Sequence, residues 1–234
     1  MKKFVIALAV VVMCLAVNMA AIAQTNVTIN YTADNEITAF YYTNEYLYNT
    51  VLPLPLGPGA AWWPTVDSYS CILDTYVYHY FIWEIKNWEY QDPAFNPGGF
   101  LAEITPADKL LIDGYSSSAL SSVSWNVAIS KNGSVAPIDL INLSWSAATT
   151  YGTNGNPTIW NLNLGGPLQG ISSEAEWIWG PQNYADLEAP GPNDRVYISA
   201  TVQTHSPEPG TMILLGSGLL GLGIFVRLRR EKNT

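Results

Sequence analysis

Residues 76–88 read Tyr-Val-Tyr-His-Tyr-Phe-Ile-Trp-Glu-Ile-Lys-Asn-Trp. Tyr76, Tyr78 and Tyr80 would point to one side of a strand, and Val77, His79 and Phe81 to the other. A strand that is apolar on both faces belongs in the middle of a sandwich, with material packed on each side. This requirement for covered faces limits the chain more than any other feature of its sequence.

The neighbouring stretches agree. Val27, Ile29 and Tyr31 alternate with Thr28, Asn30 and Thr32, the period of a half-buried strand. A turn at Asp34-Asn35 leads to a second strand, Glu36 to Tyr42, closed by Asn44. Pro53, Pro55, Gly57, Pro58, Gly59 and Pro64 mark residues 52–64 as a loop. Strands return at Phe100 to Ile104, at Ala175 to Gly180, and at Arg195 to Val202. No long 3.6-residue apolar period occurs between residues 24 and 206, while the chain holds 9 Trp and 14 Tyr. An all-β domain is expected, a β-sandwich of jelly-roll type.

Both ends of the chain read as sorting segments. Lys2 and Lys3 precede an apolar stretch from Phe4 to Val17, and Ala21-Ile22-Ala23 stands before Gln24. This is the pattern of a secretory signal peptide over residues 1–23, with Ala23 at the cut. Cys14 is not expected to carry lipid, because Met13 sits where a lipobox needs a small residue. At the other end, Pro207-Glu208-Pro209-Gly210-Thr211 is followed by an uncharged run, Met212 to Val226, and then by Arg227, Arg229 and Arg230. A helix of those 15 residues reaches only about 22 Å at about 1.5 Å per residue. A hydrocarbon core is about 30 Å thick, so the span suits a transient stay better than a lasting anchor. Gly216, Gly218, Gly221 and Gly223 weaken it further. The arginines should stay cytoplasmic, which leaves the rest of the chain outside. The expected organisation is thus signal peptide 1–23, β-sandwich 24–203, and linker and tail 204–234 with a transmembrane segment at 211–226.

Removing the ends changes the charge. Of 19 acidic and 10 basic residues, two and six lie in the terminal segments, so the body keeps 17 and 4, a formal charge of −13. Such a surface repels phosphates, which excludes nucleic acid as a partner. Cys71 is the only cysteine left, so no internal disulfide can form.

The Pro207-Glu208-Pro209 motif, the Leu/Gly run and the arginine cluster together resemble the PEP-CTERM sorting signal. That resemblance implies an exosortase-type partner, cleavage near the motif after transient inner-membrane insertion, and delivery to the cell surface or extracellular matrix of a polysaccharide-exporting bacterium. Further words resemble galactose-binding-like β-sandwich modules: Ala33-Asp34-Asn35-Glu36, Asn87-Trp88, Asn96-Pro97-Gly98-Gly99-Phe100-Leu101-Ala102-Glu103, Ser124-Trp125 and Ala175-Glu176-Trp177-Ile178-Trp179. Where those modules place an Asn-Gly turn, this chain has Asn44-Glu45.

Candidate sites follow from side-chain chemistry. Trp62 and Trp63, on the Pro/Gly-rich loop, are the expected platform for a sugar ring, and exopolysaccharide is the expected ligand. Plugging the sandwich end is the alternative role for the pair. Asp34, Asn35 and Glu36 offer hard oxygens to a structural calcium, the one cofactor considered, or else cap a turn through their own backbone. Asp67 and Asp74 are further oxygen donors. Glycoside hydrolysis would need two facing carboxylates from Glu84, Glu89, Glu103, Glu174 and Glu176, and nothing singles out a pair. His79 lies inside the dense strand and His205 in the linker, so no triad is apparent. The expectation is a non-catalytic protein, with a purely structural matrix role or polysaccharide cleavage as the alternatives.

Overall fold

A computed structural model describes residues 24–46, 48, 50–59, 64–86, 88, 98–107, 111–112, 118–131, 133–156, 160, 165–180, 190–205, 217–218 and 221. Residues 24–205 form one compact unit; segments 1–23 and 206–234 fall into a second. In that second unit only Ser217, Gly218 and Gly221 are described, all helical. The expected signal peptide with Ala23, the residues Pro207, Glu208 and Pro209, and the arginines Arg227, Arg229 and Arg230 lie outside the described residues. Among those described, no helix is long and apolar enough to cross a membrane.

The body is all-β, with two antiparallel sheets. Its strands are β1 (Gln24–Asp34), β2 (Glu36–Thr43), β3 (Leu52–Leu54), β4 (Asp67–Asp74), β5 (Tyr78–Lys86), β6 (Gly99–Pro106), β7 (Leu111–Ile112), β8 (Ala119–Leu120), β9 (Asn126–Ser130), β10 (Ser146–Ala147), β11 (Thr149–Thr153), β12 (Glu176–Trp179) and β13 (Arg195–His205). A 3-10 helix spans Pro137–Asn142. One sheet runs β11-β12-β6-β1-β4, with β8 beside β6. The other runs β10-β9-β13-β5-β2-β3, with β7 beside β13. Consecutive strands β1 and β2 therefore lie in different sheets, and the single residue Asn35 carries the chain from one to the other.

The dense strand takes the place its composition demands. β5 lies between β13 and β2 and is buried from His79 to Ile85. Its inward residues Phe81, Trp83 and Ile85 join a core that also draws on Val27, Ile29 and Tyr31 of β1 and Phe100, Ala102 and Ile104 of β6. Its outward Ile82 packs with Ala128, Leu140 and Tyr197 under the 3-10 helix and the segment after β2. Both faces are covered, which is why both are apolar.

Trp83 is the centre of the inner layer. Its ring stacks on Phe40 at 5.0 Å and on Trp125 at 5.8 Å, and meets Phe100 of the opposite sheet at 4.9 Å and Tyr31 at 5.9 Å. Each such aromatic pair adds about 0.5–1.5 kcal/mol beyond the area it buries.

Four readings of the sequence need correction. His205, read as part of the linker, is the last residue of β13, opposite Leu111. Residues 52–64 are not all loop: Leu52–Leu54 pairs with β2 as an edge strand, where Pro53 needs no ladder partner on its open side. The dense strand begins at Tyr78, because Tyr76 turns the chain with a φ of 63°. β4 was not anticipated, although Tyr69, Cys71 and Leu73 alternate with Ser68, Ser70 and Ile72 along it. We expect Trp83→Ala to lower unfolding free energy by about 3–5 kcal/mol, the range for truncating a large buried aromatic. Urea denaturation followed by fluorescence checks this.

Candidate functional site

The acidic corner between β1 and β2 holds two indoles from distant parts of the chain. Buried Asp34 accepts the Trp160 indole N–H on Oδ2 at 3.1 Å, and the Asn35 amide donates to its Oδ1. Asn35 Oδ1 accepts the Trp88 backbone N–H at 3.0 Å, and Glu36 Oε2 accepts the Trp88 indole N–H at 3.0 Å. Trp160 stacks on Trp177 at 4.6 Å, and a Cβ at Gly99 would come within 2.6 Å of its ring. Glycine at the start of β6 thus makes room for the indole.

The expected oxygen ligands Asp34, Asn35 and Glu36 are brought together, but with indole and amide donors against their oxygens. Among the described residues no three His, Cys, Asp or Glu side chains gather in a way that could hold a metal. Asp67 and Asp74 stand at opposite ends of β4, roughly 23 Å apart at about 3.3 Å per residue.

Trp62 and Trp63 lie outside the described residues. The connection that carries them is anchored where it enters β4. Asp67 is buried there, its Oδ1 accepts the Gly59 N–H at 2.9 Å, and a Cβ on Gly57 would collide with the same oxygen. Both glycines are therefore needed for the loop to close over the carboxylate.

A cavity of about 210 Å³ opens where the outermost strands β3 and β4 leave the sandwich edge uncovered, between Tyr42, Leu54, Tyr69, Cys71 and Phe81. Pockets for small molecules usually measure about 300–1,000 Å³, so this one has room for a single small group. Burial pushes the Cys71 thiol up to about 11, which keeps it protonated and unreactive near neutral pH. Next to the cavity, His79 Nε2 lies 2.8 Å from the Asp74 carbonyl and Nδ1 2.8 Å from the Tyr42 hydroxyl. A carbonyl only accepts, so Nε2 carries the proton and Nδ1 accepts from Tyr42. Burial lowers the pKa of this imidazole and favours its neutral form.

The carboxylates considered for hydrolysis are engaged separately. Glu84 is buried on the outer side of β5, where Thr38 Oγ1 at 2.7 Å, Ser134 Oγ at 2.6 Å and the Tyr197 hydroxyl at 2.9 Å all donate to it. Arg195 Nε lies 3.4 Å away. This network ties β2, β5, β13 and the segment after β9 together and was invisible in the sequence, since its members are up to 113 residues apart. Glu103 accepts the Ser172 N–H and Glu176 the Val123 N–H. Glu174 lies in the turn before β12, not on the strand with Glu176, because β12 starts only at Glu176. Glu89 is outside the described residues.

Residues 207–230 match the PEP-CTERM protein-sorting motif. No curated protein and no solved structure matches the chain. The motif implies an exported protein, sorted at the membrane and processed by an exosortase-type enzyme. The two antiparallel sheets around one aromatic core are the architecture of a β-sandwich, as the galactose-binding-like words implied.

Burial pushes the Asp34 carboxyl from 3.8 up to about 6, against the opposing pull of the Trp160 and Asn35 hydrogen bonds. Between those values the folded protein holds a proton that the unfolded chain has released. Stability should therefore fall as pH rises from about 4 to about 6, by an amount on the order of 2–3 kcal/mol, and not change further above that. His79, with its lowered pKa, acts in the opposite direction below 6.5. Urea midpoints of wild type and Asp34→Asn across this pH range isolate the Asp34 part; we expect the variant to lose it.

Proposed function

We propose that the protein is a non-catalytic component of the cell surface or extracellular matrix that binds exopolysaccharide. The observation that carries this is the sorting motif at 207–230 joined to an acidic, aromatic-rich β-sandwich. Export gives the body access to the polymers outside the cell. Two further features support it. The connection bearing Trp62 and Trp63 is anchored at its base, where Asp67 accepts the Gly59 N–H and packs against Gly57. The carboxylates Glu84, Glu103 and Glu176 accept hydrogen bonds that tie strands and loops together. Binding by each copy would be weak and would gain strength from many copies along one polymer.

A purely structural matrix role is the second reading. It is favoured by the use of Trp83, Trp125, Trp160, Trp177 and Trp179 as buried packing. A glycan array separates the two. We expect wild type to retain oligosaccharides and Trp62→Ala or Trp63→Ala to weaken them about tenfold, the value of one lost aromatic contact. Equal retention by the variants would remove the tryptophan platform, and no retention by any form would favour the structural role.

A further inference from the structure

The outer side of the β5 sheet ends in a cluster of tyrosines that neither the inner core nor the acidic corner uses. Tyr78 and Tyr80 point outward on β5, opposite His79 and Phe81, while Tyr46 and Tyr48 come from the segment after β2. Tyr80 meets Tyr46 at 6.3 Å and Tyr48 at 5.7 Å, both edge to face, and Tyr48 continues to Trp145 at 6.0 Å. Burial first, and then Tyr48, Tyr46 and Tyr78, push the Tyr80 phenol up, so the four hydroxyls share one neighbourhood. Tyr80 forms the floor at 7% exposure; Tyr46 and Tyr78 stand above it at 77% and 55%. Among the described residues, Tyr48 and Tyr76 are the non-glycine positions with positive φ, 49° and 63°. Bulky side chains adopt that conformation only at a cost, and here it occurs beside an exposed ring cluster.

Charge decides the kind of partner. β5 runs from Tyr78, opposite Gln203, to Lys86, opposite Glu36. Arg195 opens β13 at the Lys86 end, and Lys131 follows Ser130, its partner on β9. The described cations of the body thus stand at the end of the sheet away from Tyr78, whereas Glu45 adjoins Tyr46. Among the described residues no Lys or Arg stands at this end, and a uronate or sulfated chain would face a body of formal charge −13. The same charge opposes docking of a second copy.

We propose that Tyr46, Tyr48, Tyr78 and Tyr80 form a stacking surface for a neutral polysaccharide, an inference that rests on the exopolysaccharide reading above. The rings offer apolar faces to the C–H sides of sugar rings, and the phenols exchange hydrogen bonds with their hydroxyls. The surface lies at the end of the sandwich where β2 finishes. The Trp62-Trp63 connection leaves from the other end, after Leu54 and before Asp67. Loss at one place is therefore separable from loss at the other.

The test applies the full chain, in a detergent without a sugar headgroup, to an array of neutral and uronate oligosaccharides. Wild type is compared with Tyr46→Ala/Tyr78→Ala, whose exposed positions spare the core. The expected result is retention of neutral oligosaccharides, independent of salt, that weakens about tenfold or more in the variant. Tyr46→Trp with Tyr78→Trp should restore it, since stacking needs a ring and not a particular phenol. Equal retention by wild type and alanine variant overturns this surface and leaves the exopolysaccharide reading in place. Retention of uronate chains alone, weakening with salt, overturns the neutral-ligand assignment. No retention by any form overturns both. A dimer in sedimentation that the alanine variant loses, with glycan binding unchanged, would reassign the surface to self-association.

Discussion

The stack of Phe40, Trp83 and Trp125, closed from the other sheet by Phe100 and Tyr31, is the contact on which the rest of the body depends. With one free thiol described in the body and no disulfide, the two sheets are held mainly by packing, with hydrogen bonds such as that from His79 of β5 to the Asp74 carbonyl of β4 between them. A central strand apolar on both faces could not persist without the inner aromatic layer and the outer cover of Leu140, Tyr48 and Trp145. Once β5 is fixed, its register places β13 on one side and β2 on the other. The polar features then fall where those strands end.

That geometry separates two ends of the sandwich. At one end the Asp34 corner pins Trp88 and Trp160, and the connection with Trp62 and Trp63 leaves from the strands beside it. At the other end the body begins and finishes: Gln24 donates to Asp74, and the Tyr76 N–H donates to the Thr204 carbonyl. Thr204, near the end of β13, therefore lies at the same end of the body as Gln24, the residue expected to become the mature N-terminus.

Local patterns were legible and distant pairings were not. Alternation in Val27, Ile29 and Tyr31 identified β1, and the doubly apolar run identified β5, because a strand's faces are written in neighbouring residues. The sorting tail was legible for the same reason. β4 was missed although its alternation was present, since Asp67, Ser68 and Ser70 dilute its apolar signal. Pro53 disguised β3, because proline excludes a central strand but not an edge. The indole of Trp160 finds Asp34 across 126 positions, and Tyr197 finds Glu84 across 113. No spacing rule reveals such partners; they become visible only when the sheets are assembled. The tyrosine surface was hidden likewise, since Tyr46 and Tyr80 meet only after β2 and β5 pair.

The central claim is that an autonomous sandwich is carried out of the cell and freed from its tail at the PEP-CTERM motif. Intact-mass spectrometry of the protein recovered from cells and medium tests it most directly, because one measurement reports both ends. The account requires a chain that starts at Gln24, ends near Pro207-Glu208-Pro209, and lacks Arg227, Arg229 and Arg230. A mature chain that keeps Met1 or retains the arginine cluster would contradict it.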